Sequence, residues 1–368
     1  MYEAVKDRLL GFLERVNGGN SSHFVFLFSG TTCIQGTRGN RPIRQAQALL
    51  RQGIPVLFSY HRNDFHEDVP LDESDLLMQV PVDITLQLLD RIAEVELAST
   101  RKVFVVSYPY PKVVPWIAEF KRAGWTVVYD CRDDWEEFSK VGMARWYRKA
   151  AERRAVVESQ ATICVSGPLC DKMRKLAPGS RVKLSPNAVE SSFLPAGYHR
   201  RPRIAPRVVG YFGHLSDAWF DWSAFLTIAR RCPQFRFEII GHSEPANLDV
   251  PSNVELLGAM PWTQLHKVAA GWSAAIIPFR MGKLSDGVDP IKIYEYLSFG
   301  LPVVSFRMPQ IESYPYTRTV EDVEGFCTAL NEVCALTPDR QRIDLFLSRN
   351  TWEVRASELL ELVEGTKS

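Results

Sequence analysis

The sequence predicts an α/β protein of two Rossmann-like, doubly wound parallel-sheet domains facing each other across a cleft. Three observations lead there. Short, almost wholly apolar runs alternate with helical periods from end to end, a Pro-, Ser- and Arg-rich stretch at 185–206 interrupts the alternation, and 368 residues exceed what one hydrophobic core usually organises. Continuous apolar runs, unlike alternating ones, suit strands covered on both faces, which is the condition of a parallel sheet.

In the first half HFVFLFS (23–29), PVLFSY (55–60), KVFVVSY (102–108), WTVVYD (125–130) and ATICVS (161–166) have the length and β-branched or aromatic content of buried strands. Helical periods around 41–51, 83–97, 111–123 and 143–159 separate them. After the interruption RVVGYFG, FRFEIIG, NVELLG, SAAIIPF and LPVVSF repeat the pattern, and helical segments follow near 320–336, 339–348 and 351–364. The expected organisation is a first domain at 1–187, a linker at 188–206, a second domain at 207–350 and a C-terminal helix at 351–368, with packing back on the first domain as one option for that helix.

Composition excludes several classes. Forty-four basic and 43 acidic residues leave a net charge of +1, which gives no overall case for a nucleic-acid partner. Seven cysteines, odd in number and never spaced C-x-x-C, indicate neither a disulfide framework nor a zinc site, and suit a reducing compartment. The N-terminal MYEAVKDRLLGFLERVNGG has helical apolar spacing but is interrupted by Glu3, Lys6, Asp7, Arg8, Glu14 and Arg15, so a signal peptide or membrane span is not expected. The expected location is cytoplasmic.

The most informative stretch is DPIKIYEYLSFGLPVVS (289–305). Asp289 suits an N-cap, Pro290 the first helical position, Gly300 the exit, and Pro302-Val303-Val304 a resumed strand. Its charges run against the helix dipole: Lys292 stands in the first turn and Glu295 one turn later. A phosphate held by first-turn N–H groups and the Lys292 ammonium would repay that order, with Glu295 placed to accept hydrogen bonds from an attached ribose. A surface Lys–Glu pair whose charge Asp289 offsets accounts for the same spacing. Because ligands of open parallel sheets bind beyond the carboxyl ends of the strands, the loops at 29–40, 108–111, 130–134, 213–217, 241–244 and 279–292 are where function should lie.

In order along the second half, SPNAVESSF, VVGYFGHLSD, FRFEIIGHSE, NVELLGAMPWTQLHKVAAGWSAAIIPF and DPIKIYEYLSFGLPVVS resemble the nucleotide-sugar-binding half of GT-B glycosyltransferases of the family-4-like type. The resemblance covers about Ser185 to Ser305, the first half sharing only the architecture. It implies a nucleoside diphosphate sugar as donor, a hydroxyl acceptor, and no cofactor or metal. The donor-side residues it implies are Gly213, His214, Arg280, Asp289, Lys292, Tyr294 and Glu295, with Lys283 a further cation near the phosphates. The glutamate that retaining members carry eight residues before the second one is replaced by Gly287. In this the chain is more similar to inverting GT-B enzymes such as the xanthan glucuronosyltransferase, and to teichuronic-acid-type transferases.

An inverting transfer needs a base for the acceptor proton, and VVYDCRDDWEEF places Asp130, Asp133 and Asp134 directly after a strand. Asp134 is slightly preferred over Asp133 as that base. Helix capping by Asp133, with Asp134 in the first turn, explains the same spacing without chemistry. The glycine-rich GTTCIQGTRGNRP (30–42) fits neither a dinucleotide fingerprint nor a P-loop; it is expected to shape the acceptor side, where Arg38, Arg41 and Arg44 meet an anionic, lipid-linked acceptor or stay solvated. Between 135 and 154 aromatics interleave with base, a pattern that fits either peripheral contact with an anionic membrane at its inner face or a helix packing its aromatics inward. The expected activity is glycosyl transfer in surface polysaccharide or glycolipid assembly, to a lipid-linked acceptor or growing glycan. A sugar-nucleotide-binding protein without turnover, and a GT-B epimerase or phosphorylase, are the alternatives.

Overall fold

A computed structural model describes residues 2–34, 39–61, 74–97, 100–194 and 207–365. The chain divides into two compact units, Met1–Pro186 with Trp352–Ser368, and Asn187–Thr351. Each has its own hydrophobic core.

The first unit holds strands β1 (His23–Phe28), β2 (Val56–Tyr60), β3 (Leu77–Pro81), β4 (Arg101–Val106), β5 (Thr126–Cys131), β6 (Ala161–Cys164) and β7 (Val182–Leu184) in the order β3-β2-β1-β4-β5-β6-β7. All its pairings are parallel. Strands β1, β2 and β3 are buried along their whole length, including the polar His23, Ser59 and Gln79 among their apolar residues. The helix Tyr2–Gly18 turns Leu9, Phe12, Leu13 and Val16 into this core. The C-terminal helix Trp352–Glu364 also belongs to this unit: Arg51 pairs with Glu353 at 2.7 Å, and the Arg355 Nε–H donates to the Pro186 carbonyl at 2.8 Å.

The second unit holds β8 (Arg207–His214), β9 (Phe235–His242), β10 (Val254–Gly258), β11 (Trp272–Ile277), β12 (Val303–Phe306) and β13 (Thr317–Val320) in the order β10-β9-β8-β11-β12-β13, again all parallel. In both sheets the chain builds outward from its first strand and then crosses back to that strand's other side. The order therefore reverses between β1 and β4, and between β8 and β11. The crevice outside the carboxyl ends at such a reversal is where doubly wound sheets hold ligands.

Two doubly wound parallel-sheet α/β units are observed, as expected, with differences at the edges. Strands β3, β7 and β13 were not anticipated. β7 and β13 are edge strands with few buried residues, as protected edges usually are. The helix expected at 83–97 is two short ones, Val82–Thr85 and Leu89–Ala93. Those expected at 111–123 and 143–159 begin late, at Trp116 after Pro115 and at Lys149.

Candidate functional site

In the second unit the reversal point is occupied by Gly213-His214 at the end of β8, Phe279-Arg280 after β11, and the amino end of the helix Ile291–Ser298. Two tyrosines fix that helix. The Tyr296 hydroxyl accepts the Phe212 N–H at 3.0 Å, and the buried Tyr294 hydroxyl donates to Asp289 Oδ2 at 2.9 Å. The helix exits through Gly300 at φ 68°, as expected. Its N-cap is Pro290, not Asp289, so the first-turn N–H groups have no side-chain cap and no acidic neighbour in that turn.

Asp289 is buried with its carboxylate turned the other way, accepting from the Asn187 N–H at 2.6 Å and from the Tyr294 and Tyr314 hydroxyls. Asp289 and Tyr294 are thus engaged with each other and with neighbouring groups of the second unit. Their polar groups join the Asn187 segment to the helix.

Lys292 extends from the first turn across Gly213, where an added Cβ would lie 3.0 Å from Cε and 3.3 Å from Nζ. Its ammonium lies 4.6 Å from the Phe279 ring centroid and 5.4 Å from that of Tyr211. Among the described residues it makes no ion pair. Burial pulls its pKa down to about 8, against an opposing pull from Glu295. Glu295 is half-buried on the same helix.

The His214 Nδ1 accepts the Ser216 N–H at 3.2 Å, which leaves the proton of the neutral ring on Nε2. Burial, His242 and Lys292 together hold its pKa below the ordinary value. Arg280 differs from expectation: its Nε–H donates to the Asp217 carbonyl at 2.5 Å and its Nη2 to the Asp217 carboxylate, so the guanidinium closes the 215–221 loop. Lys283 is exposed at the start of the short helix Lys283–Asp286.

In the first unit the segment after β5 separates the three aspartates. Asp130 is fully buried and accepts the Arg41 Nε–H with both oxygens at 2.9 Å, while Arg41 also reaches the Pro186 carbonyl at 3.2 Å. Arg41 thus braces β5 against the Pro186 segment from inside the first unit. The Arg44 side chain is likewise buried, donating to Gln47 at 3.3 Å, and Arg38 lies outside the described residues.

Asp134, not Asp133, caps the following helix Trp135–Lys140 by accepting the Glu137 N–H at 3.0 Å, and it pairs with Lys172 at 2.6 Å. Asp133 is left half-buried, 3.6 Å from Arg132, with its pKa raised to about 6 by desolvation. Arg132 donates to the Gly30 carbonyl at 3.3 Å and lies 5.3 Å from the Trp135 ring centroid.

Beside this group stand two residues that motif reasoning did not single out. The His61 Nε2 and Tyr108 hydroxyl are 2.5 Å apart, and burial and Arg132 lower the His61 pKa. The available signal was position, since His61 directly follows β2 and Tyr108 follows β4 by two residues. Trp135 and Tyr147 are buried and Trp146 packs on the core, with Trp146 edge-on to Tyr108 at 5.0 Å. The aromatics of 135–154 thus face inward, the second of the two readings that the sequence pattern allowed.

Residues 206–335 match the family model described as glycosyl transferases group 1. A curated relative described as a teichuronic acid biosynthesis glycosyltransferase, TuaH of Bacillus subtilis, is 24% identical over 219 residues, 54% of this chain and 55% of that protein. The alignment thus spans about half of that relative. The apo lipopolysaccharide outer core galactosyltransferase WaaB superposes with a TM-score of 0.67 at 13% identity, covering 94% of this chain and all 100% of that one. A trehalose-6-phosphate protein from E. coli bound with UDP-2-fluoro glucose gives 0.64 at 10% identity, covering 92% and 98%. Within the second unit, residues 206–335 are thus similar to group 1 glycosyltransferases, and the chain shares its two-sheet fold with solved glycosyltransferases.

Proposed function

We propose that the protein transfers a sugar from a nucleoside diphosphate sugar to a hydroxyl acceptor in surface polysaccharide or glycolipid assembly. The observation that carries this is Lys292, an ammonium without an ion-pair partner among the described residues, in the uncapped first turn of a helix at the sheet's reversal point. The donor's diphosphate lies against that turn and against the backbone of Gly213, where any side chain would meet Lys292. Lys292 and the helix N–H groups stabilise the charge that develops on the departing diphosphate, so no metal ion is needed for the step. Glu295 accepts from the ribose hydroxyls. Asp133 takes the acceptor proton: its carboxylate is not spent on a helix cap, and its pKa of about 6 leaves it ionised but basic near neutrality. Membrane contact at the inner face, if the acceptor is lipid-linked, falls to the exposed Val141 and Met143 and the neighbouring Arg145, Arg148 and Lys149. No helix among the described residues is long and apolar enough to cross a bilayer.

Thermal unfolding against UDP-, GDP-, dTDP- and ADP-sugars tests the donor site. A ligand at a hundred times its Kd adds about 2.7 kcal/mol. Lys292→Ala should abolish that gain while changing the unliganded protein by no more than about 1 kcal/mol. A full gain in the variant removes the phosphate assignment.

A further inference from the structure

Three groups able to carry positive charge converge at the carboxyl ends of β8 and β9. His214 and His242 are partners in the parallel register of these strands, and their rings meet edge to face with centroids 5.0 Å apart. Lys292 approaches from the helix Ile291–Ser298, lying against Gly213, the residue next to His214. Among the described residues neither histidine has an ion-pair partner, and Glu295 is the carboxylate that acts on Lys292. The nearby Asp217 is engaged by Arg280. Both histidines are exposed, so the cluster is open to a ligand.

From this juxtaposition we propose that His242 is a further donor-contacting residue, and that the His214–His242 pair takes up a net fraction of a proton from solvent when a diphosphate settles on Lys292. This rests on the donor reading above. The His214 ring resists protonation, because burial and the neighbouring His242 and Lys292 raise the electrostatic cost of a further cation there. A bound diphosphate reverses the local sign and favours the imidazolium, which then offers a charge-assisted N–H to a phosphate oxygen. The tautomer set by Ser216 keeps the His214 Nε2–H available for such a bond. His242 is held in place through its Nδ1, 2.9 Å from the Ser243 hydroxyl, on a residue at φ 70°. By linkage, binding that takes up a proton weakens as pH rises. Lys292 contributes its own loss of affinity, but at higher pH, above about 8.

Calorimetric titration with UDP-, GDP-, dTDP- and ADP-glucose at about pH 7, in two buffers of different ionisation enthalpy, counts the protons directly. These pyrophosphate diesters have no group of their own titrating between about pH 6 and 8. The expected result is net uptake of about half a proton, with Kd rising about threefold to tenfold from pH 6 to 8. His242→Gln should lower the uptake and weaken binding, and the double variant with His214→Gln should bring the uptake close to zero while the loss above pH 8 persists. Binding that needs Lys292 but takes up no proton, or uptake unchanged in His242→Gln, overturns this inference alone. Failure of all four sugar nucleotides to bind overturns the donor reading and this inference with it.

Discussion

Among single residues, Lys292 and Asp133 together predict a pH profile. Transfer needs Asp133 ionised, so kcat/KM should fall as pH drops below about 6, and it needs Lys292 protonated, so kcat/KM should fall again above about 8. A rate profile between pH 5 and 9 checks both limbs; a flat acid limb would remove Asp133 as the base. Asp133→Asn should lower transfer by about 10²- to 10⁴-fold and leave the ligand-induced thermal shift intact. Asp134→Ala should instead destabilise the protein by about 1 kcal/mol or more, since it loses a helix cap and the Lys172 pair. The buried Arg41–Asp130 pair gives a larger effect: Asp130→Ala leaves the buried guanidinium without its carboxylate and should cost about 3–5 kcal/mol, measurable by chemical denaturation. Lys292 was legible in the sequence because its oddity is local, a cation in a first turn. Arg41 was not, because its partner is 89 residues away and arrives only when β5 packs beside the sheet reversal.

At the level of elements, the segment 135–158 shows how one composition can serve opposite ends. Its aromatics and bases fit a membrane-surface helix, yet Trp135 and Tyr147 are buried, and two helices with a turn between them replace the single one. The turn lets Tyr147 reach Glu152, whose buried carboxylate accepts from the Tyr129 hydroxyl at 2.8 Å and the Tyr147 hydroxyl at 2.9 Å. Desolvation raises the Glu152 pKa to about 7, against about 4.3 in an unfolded chain. The folded state therefore binds more protons between those values, and this contribution to stability, full below about 4.3, is lost as pH rises through about 7. Denaturant midpoints measured from pH 5 to 8 should fall in the wild type and fall less in Glu152→Gln; parallel curves would contradict it. Periodicity found helix in this segment and left two faces open; the neighbouring strands decide between them by supplying a core that takes the aromatics.

On the scale of the whole molecule, the chain's last helix completes its first unit. Trp352, Leu359, Leu362 and Val363 are buried there, each worth about 1.5–3 kcal/mol. Truncation before Trp352 should therefore lower the melting temperature of the first unit and expose it to protease, while the second unit, with a separate core, keeps its protection. Equal protection of both units in the truncated protein would contradict that account. By itself the sequence determined the two parallel sheets, the break between them and the charged helix at 291–298, since each is written in short-range periods and end signals that need no partner. Only the tertiary structure decided which charges are used up inside the fold. Asp289, Arg280, Arg41 and Asp134 each meet a partner, while among the described residues Lys292 makes no ion pair and Asp133 caps no helix, because the cost of burying a charge is settled by whichever group the fold brings within a few ångströms.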